Sequence, residues 1–129
     1  MRKLMRTAFG AVFVGALIIA TPLVAQADIG RELPGNGEFY YNAAKDLLRI
    51  TDHKDGDYLY AKVGYRSVPC GTVNDACEPP NWTRYRNAAD YAGYHGYHQL
   101  RPAATYVYIQ LCNDDFPPDT CTKWFMTTR

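Results

Sequence analysis

Two stretches of strict alternation constrain this chain most. Between Asp57 and Arg66, the residues Tyr58, Tyr60, Lys62, Gly64 and Arg66 fall on one side, and Leu59, Ala61, Val63 and Tyr65 on the other. Between Thr105 and Cys112, the apolar Val107, Ile109 and Leu111 oppose Tyr106, Tyr108, Gln110 and Cys112. Strand side chains point alternately to two faces, so a period of two marks a strand with one face on a core. Lys123 to Thr128 continues the pattern, with Trp124 and Met126 opposite Phe125 and Thr127. Leu47 to Asp52 also reads as a strand, and Asp55-Gly56 as the turn of a hairpin that returns along residues 57–66. Phe39 to Tyr41 is a short strand candidate, and Trp82 to Tyr91 is strand or irregular. Residues 28–38, with Gly30, Pro34, Gly35 and Gly37, read as a flexible lead-in. Residues 67–81 read as a loop, and the glycine-punctuated 93–98 as another. No helical apolar stripe occurs beyond residue 27. The expected fold class is all-β, a small antiparallel β-sandwich or barrel.

The first 27 residues read as an address. Arg2, Lys3 and Arg6 precede an apolar run from Ala8 to Ala20, and Ala25-Gln26-Ala27 closes the segment. That is the layout of a secretory signal peptide cleaved after Ala27. The run is too short for a comfortable membrane span, and Pro22 interrupts its end. The expectation is a single secreted β domain over 28–129, extracellular and off the membrane once cleaved. All 11 tyrosines and all four cysteines lie in that part, and cysteine-bearing small domains suit an oxidising compartment.

Cys70, Cys77, Cys112 and Cys121 allow three disulfide pairings. Their spacing points to Cys70–Cys77 across a turn-like segment, and to Cys112–Cys121 between two strand signals. A zinc site would want closer Cys-x-x-Cys pairs. Staples over loops this short contribute about 2.5 kcal/mol each in the chain-entropy model, which matters for a domain with a small core.

Several of these residues carry a resemblance. The pattern from Asp46 to Gly56 (Asp46, Leu48, Ile50, Asp52, Asp55, Gly56), the run Arg86-Asn87-Ala88-Ala89, the strand ending at Cys112, and Cys121 followed by Trp124 resemble a set of small secreted actinobacterial proteins of unknown function. Those share a signal peptide, an Asp-Gly hairpin and paired cysteines near the C-terminus. The resemblance implies an exported β-sandwich-like protein and carries no catalytic residue across. Trp82-Thr83-Arg84-Tyr85 is similar to the Trp-Arg-Tyr triplet of tendamistat-type α-amylase inhibitors, which are also small two-disulfide β-proteins. Here Thr83 splits the triplet, and it lies outside the Cys70–Cys77 segment.

The parts of an enzyme are sparse. Ser67 is the only serine and has no nucleophile elbow around it. His53 falls in a turn, and the His95-x-x-His98 pair lacks the helix and glutamate of a zinc-protease motif. No catalytic residue, metal or cofactor is expected. Chemistry concentrates instead between residues 82 and 101, where Trp82, Arg84, Tyr85, Arg86, Tyr91, Tyr94, His95, Tyr97, His98 and Arg101 crowd together. Tyrosine makes amphipathic contacts at low entropic cost, and rings flanked by donors suit sugars or a protein partner. The alternative use of the same rings is to cover a short core. The formal charge is +1, and −2 without the leader, which speaks against nucleic acid. The expectation is a non-catalytic binding module for an extracellular polysaccharide or secreted protein. An inhibitor of a secreted hydrolase comes second and a small hydrolase or nuclease third. The sequence does not set an oligomeric state.

Overall fold

The computed structural model describes residues 27–114 and 118–129, so the expected leader lies outside them apart from Ala27. Eleven strands and no helix occur among the described residues. They are β1 (Ile29–Leu33), β2 (Gly37–Asn42), β3 (Leu47–Asp52), β4 (Tyr58–Arg66), β5 (Gly71–Thr72), β6 (Asp75–Ala76), β7 (Thr83–Arg86), β8 (His95–Gln99), β9 (Tyr106–Asp114), β10 (Thr120–Cys121) and β11 (Phe125–Thr128). One antiparallel sheet has the order β1-β2-β3-β8. The second has the order β10-β9-β4-β7, and β11 follows β10 along the same side of β9.

The alternation read from the sequence packs the two sheets together. Phe39, Tyr41, Leu48 and Ile50 of the first sheet share a core with Leu59, Ala61, Val63, Val107, Ile109 and Leu111 of the second. Both disulfides pair as their spacing suggested, Cys70 with Cys77 and Cys112 with Cys121. The protein is an all-β sandwich with two staples, and two disulfides suit an oxidising, extracellular setting.

Three local expectations fail. Strands β3 and β4 do not pair, so no hairpin spans residues 47–66. Strand β3 pairs with β2 and β8, and β4 with β9 and β7, which leaves neither an edge for the other. The connection through Asp55-Gly56 instead carries the chain across the core from one sheet to the other. Residues 28–38 are not a flexible lead-in, because β1 and the start of β2 form a hairpin there with Ile29 and Leu33 buried. Gly35 takes the positive φ of the turn, and Gly37 serves packing. A Cβ at Gly37 would sit 2.2 Å from Leu59 Cδ1, so the missing side chain admits that leucine. Residues 93–98 are not a loop either, since β8 occupies most of them.

Gly96 of β8 explains how the sheets are fastened at that edge. A Cβ there would sit on Asn87 Oδ1. The buried Asn87 fills that space, its backbone N–H donating to Leu59 O at 2.9 Å and its Nδ2 donating to Ile50 O at 3.0 Å. His98 Nε2 donates to Asn87 Oδ1 at 3.2 Å. One residue thus bonds both sheets.

The outer face of the second sheet is divided. Over β9 and β11 lies the disulfide-closed β5–β6 hairpin, with Ala76 N donating to Trp124 O at 3.0 Å and Met126 N to Val73 O at 3.0 Å. Tyr108, Trp124 and Met126 form a second small core beneath it. Over β4 and β7 no strand lies among the described residues, and only the segment 79–82 crosses β4, at Gly64.

Substituting Gly96→Ala should cost about 1–3 kcal/mol, because an inserted methyl must displace a buried, bonded amide. Urea denaturation of the oxidised chain measures this, and a loss under 0.5 kcal/mol would contradict the clamp. Removing Cys112–Cys121 by a double Cys→Ala substitution should cost about 2.5 kcal/mol on the same scale.

Candidate functional site

The uncovered half-sheet orders its side chains by strand register. Lys62 lies opposite Arg84, and Tyr60 opposite Arg86. All of them project outward, because Ala61 and Val63 between them face the core. Sheet twist brings diagonal neighbours within reach of long side chains. The Arg84 guanidinium accordingly stacks on the Tyr60 ring at 4.0 Å, and that of Arg86 on Tyr58 at 3.9 Å. The Lys62 ammonium stands 4.6 Å from the centre of the Trp82 ring. Three cations and three rings thus form one stepped ladder. Each contact at such a site is worth about 0.5–1 kcal/mol.

The ends of the ladder differ. At one end Arg86 pairs with Asp114 at 3.3 Å. Close by, Tyr60 donates its hydroxyl to Asp119. Burial, reinforced by that bond, pushes the Tyr60 phenol up to about 12, so it remains a donor at working pH. At the other end Trp82 is 37% exposed. It borders a shallow recess of about 250 Å³ lined by Val63, Gly64, Tyr65, Asn81, Thr83 and Ala103. Gly64 makes that end possible, because a Cβ there would meet Pro79 Cγ at 2.4 Å and Asn81 O at 2.6 Å. Without it, the segment leading to Trp82 could not lie across β4. Among the described residues, Lys62 and Arg84 form no ion pair.

Residues grouped on the chain between 82 and 101 are dispersed in space. Trp82, Arg84 and Arg86 stand on the ladder. Tyr85 turns inward from β7, half-buried, with its ring edge-on to His98 at 5.8 Å. Burial lowers the His98 pKa. Tyr91 and Tyr94 pack edge-on at 5.3 Å in the loop that braces the β3–β4 crossover. There Asp52 N donates to Tyr94 O at 2.9 Å, and Gly93 N to Asp52 O at 2.7 Å. His95 and Tyr97 project from the opposite face of the sandwich, and Arg101 is exposed in the segment after β8. Lys62, Tyr58 and Tyr60 were missed. Their signal was present as the outward side of the alternation in residues 57–66, but nothing in the sequence says that β7 lies beside it.

The opposite face holds a second polar group. Glu38 lies 3.5 Å from both Arg49 and His53, and His53 also lies 3.8 Å from Glu32. Arg49 stands 5.5 Å from the Tyr40 ring centre. His95 Nδ1 shares a 2.9 Å hydrogen bond with Thr51 Oγ1. Among the described residues, no three His, Cys, Asp or Glu side chains converge in a way that could hold a metal ion. No family model matches the chain, and no curated protein or solved structure is detectably similar to it.

Asp52, at the crossover, is 1% exposed. Its Oδ1 accepts from Lys54 N at 3.1 Å, while its Oδ2 has no partner among the described residues. Burial raises its pKa despite that bond, and Asp90 and Asp55 nearby add to the rise. An acid with a raised folded pKa binds its proton in the native state before it does in the unfolded chain. Wild type should therefore gain stability over Asp52→Asn as pH falls from 7 through that raised pKa, and the gain should level off below the unfolded value of 3.8. Parallel urea midpoints for the two chains at pH 7, 5.5 and 4 test this. A difference independent of pH would show that Asp52 is not held in this way.

Proposed function

We propose that this protein is a secreted, non-catalytic binding module whose binding surface is the ring–cation ladder on β4 and β7. The observation that supports this reading is the ladder itself: Trp82, Arg84 and Arg86 stand exposed beside Lys62, on the one half of the sheet that the β5–β6 hairpin leaves open. Rings fix the cations in place, so little side-chain entropy is lost when a partner docks. The partner class is an extracellular carbohydrate or protein. Inhibition of a hydrolase would call for a protruding loop at Trp82–Tyr85, whereas Thr83–Arg86 is an edge strand with Tyr85 turned inward. Export by the leader, with cleavage after Ala27, belongs to the same reading.

Co-sedimentation of the disulfide-bonded chain with chitin, cellulose, starch granules and peptidoglycan tests the reading. Wild type should pellet with at least one of them. Trp82→Ala and Arg84→Ala should reduce the pelleted fraction several-fold. Tyr97→Ala, on the other face, should pellet as wild type does. If Tyr97→Ala fails while Trp82→Ala pellets normally, the surface lies on the β1-β2-β3-β8 sheet. Pelleting with none of the four would remove the insoluble-glycan form of the proposal.

A further inference from the structure

The ring faces of the ladder are already occupied. Arg84 covers Tyr60, Arg86 covers Tyr58, and Lys62 stands over Trp82. A ligand that recognises aromatic faces, such as a single-stranded nucleic acid stacking its bases, would have to displace these cations. The groups left to meet a ligand are the Arg84 guanidinium edge, the Lys62 ammonium and the part of the Arg86 edge that Asp114 does not hold. A guanidinium stacked on a ring keeps its in-plane N–H donors free, and the fork they make matches a carboxylate.

We infer that the ladder recognises an acidic polysaccharide, one whose sugar rings bear carboxylates, lying along β7. This rests on the binding-module reading above and adds the chemical class of the ligand. Arg84 and Arg86 are two residues apart on one strand, so their forks stand about 7 Å from each other. Lys62 lies directly opposite Arg84 in the register and doubles the charge at that step. The recess of about 250 Å³ borders Trp82, the ring on which Lys62 stands, and so lies at that end of the ladder. Asp114 pairs with Arg86, and Asp119 is held by the Tyr60 hydroxyl, whereas Lys62 and Arg84 form no ion pair among the described residues. An acidic protein partner is the poorer fit, because a protein interface is centred on an apolar core and Trp82 is the one exposed large apolar side chain on the ladder among the described residues. The other exposed large apolar side chains, Val68, Val73, Tyr91 and Tyr97, belong to other parts of the molecule.

The test is affinity electrophoresis of the oxidised chain through gels containing polygalacturonate, its fully methyl-esterified form, or dextran, at low and at 200 mM salt. Arg84→Lys and Arg86→Lys are run beside wild type, with thermal melts to show that each variant folds. Polygalacturonate should retard wild type, and the higher salt should weaken that about tenfold. Each Arg→Lys variant should bind several-fold more weakly, because it keeps the charge and loses the fork. The ester and dextran should not retard the chain. Equal retardation by the ester would overturn the carboxylate inference and leave the binding-module reading intact. Lysine variants that bind as wild type does would reduce the effect to net charge and overturn it as well. Failure to bind polygalacturonate overturns it too; the binding-module reading would then rest on the co-sedimentation result alone.

Discussion

The two sheets are held in register at their β7 and β8 edges by the side chain of Asn87. It reaches across the core, takes the space that Gly96 leaves empty, and bonds the backbone of Ile50 while its own backbone bonds Leu59. Such a bridge would cost stability if it were left half-made in an apolar interior. Its backbone N–H, its Nδ2 and its Oδ1 each have a partner, so it supports one relative placement of the sheets and penalises others. That placement sets the path of residues 83–86 beside β4, and with it the geometry of the ladder.

The second sheet is asymmetric for a related reason. The two halves of its outer face carry similar outward residues, with tyrosines in both. One half is buried by the short hairpin that Cys70–Cys77 closes, and its Tyr108 becomes core. On the other half Arg84, Arg86 and Lys62 stand over Tyr60, Tyr58 and Trp82, and chain crosses β4 only at Gly64 among the described residues. Cation–π stacking keeps those rings from standing as a bare apolar surface, and it holds long, flexible side chains in place. Structure and binding therefore use the same contacts, and the exposed edges of the guanidiniums follow from the covering of the rings.

Much of the fold was legible in the chain. Residues 58–66 and 106–114 alternate because each has one face on the core, and the strands appear where the alternation is. The short cysteine spacings point to local pairs, since a brief loop costs little entropy to close. The hairpin at Asp55-Gly56 was misread because local turn chemistry reports that the chain reverses, not which hydrogen-bonding edge it returns to. Residues 28–38 and 93–98 read as a flexible lead-in and a loop in sequence but hold strands, because a glycine permits backbone freedom without requiring it. Gly37 and Gly96 mark places where another side chain, Leu59 or Asn87, needs the room. The candidate site was half legible. Trp82, Arg84 and Arg86 carried a signal through their spacing, whereas Tyr58, Tyr60 and Lys62 are strangers to them in sequence.

The sequence by itself determined the fold class, the two staples and which face of each long strand turns inward, because period and spacing act locally on the chain. Only the tertiary structure decided which strands are neighbours, and so which of the many tyrosines and arginines meet. Tyr85 and His98 share their stretch of chain with Arg84 and Tyr97, yet the first two turn inward and the latter two stand on opposite faces of the sandwich. Adjacent residues of a strand point to opposite sides, and the successive strands β7 and β8 belong to different sheets. Proximity along the chain therefore says little about proximity on the surface.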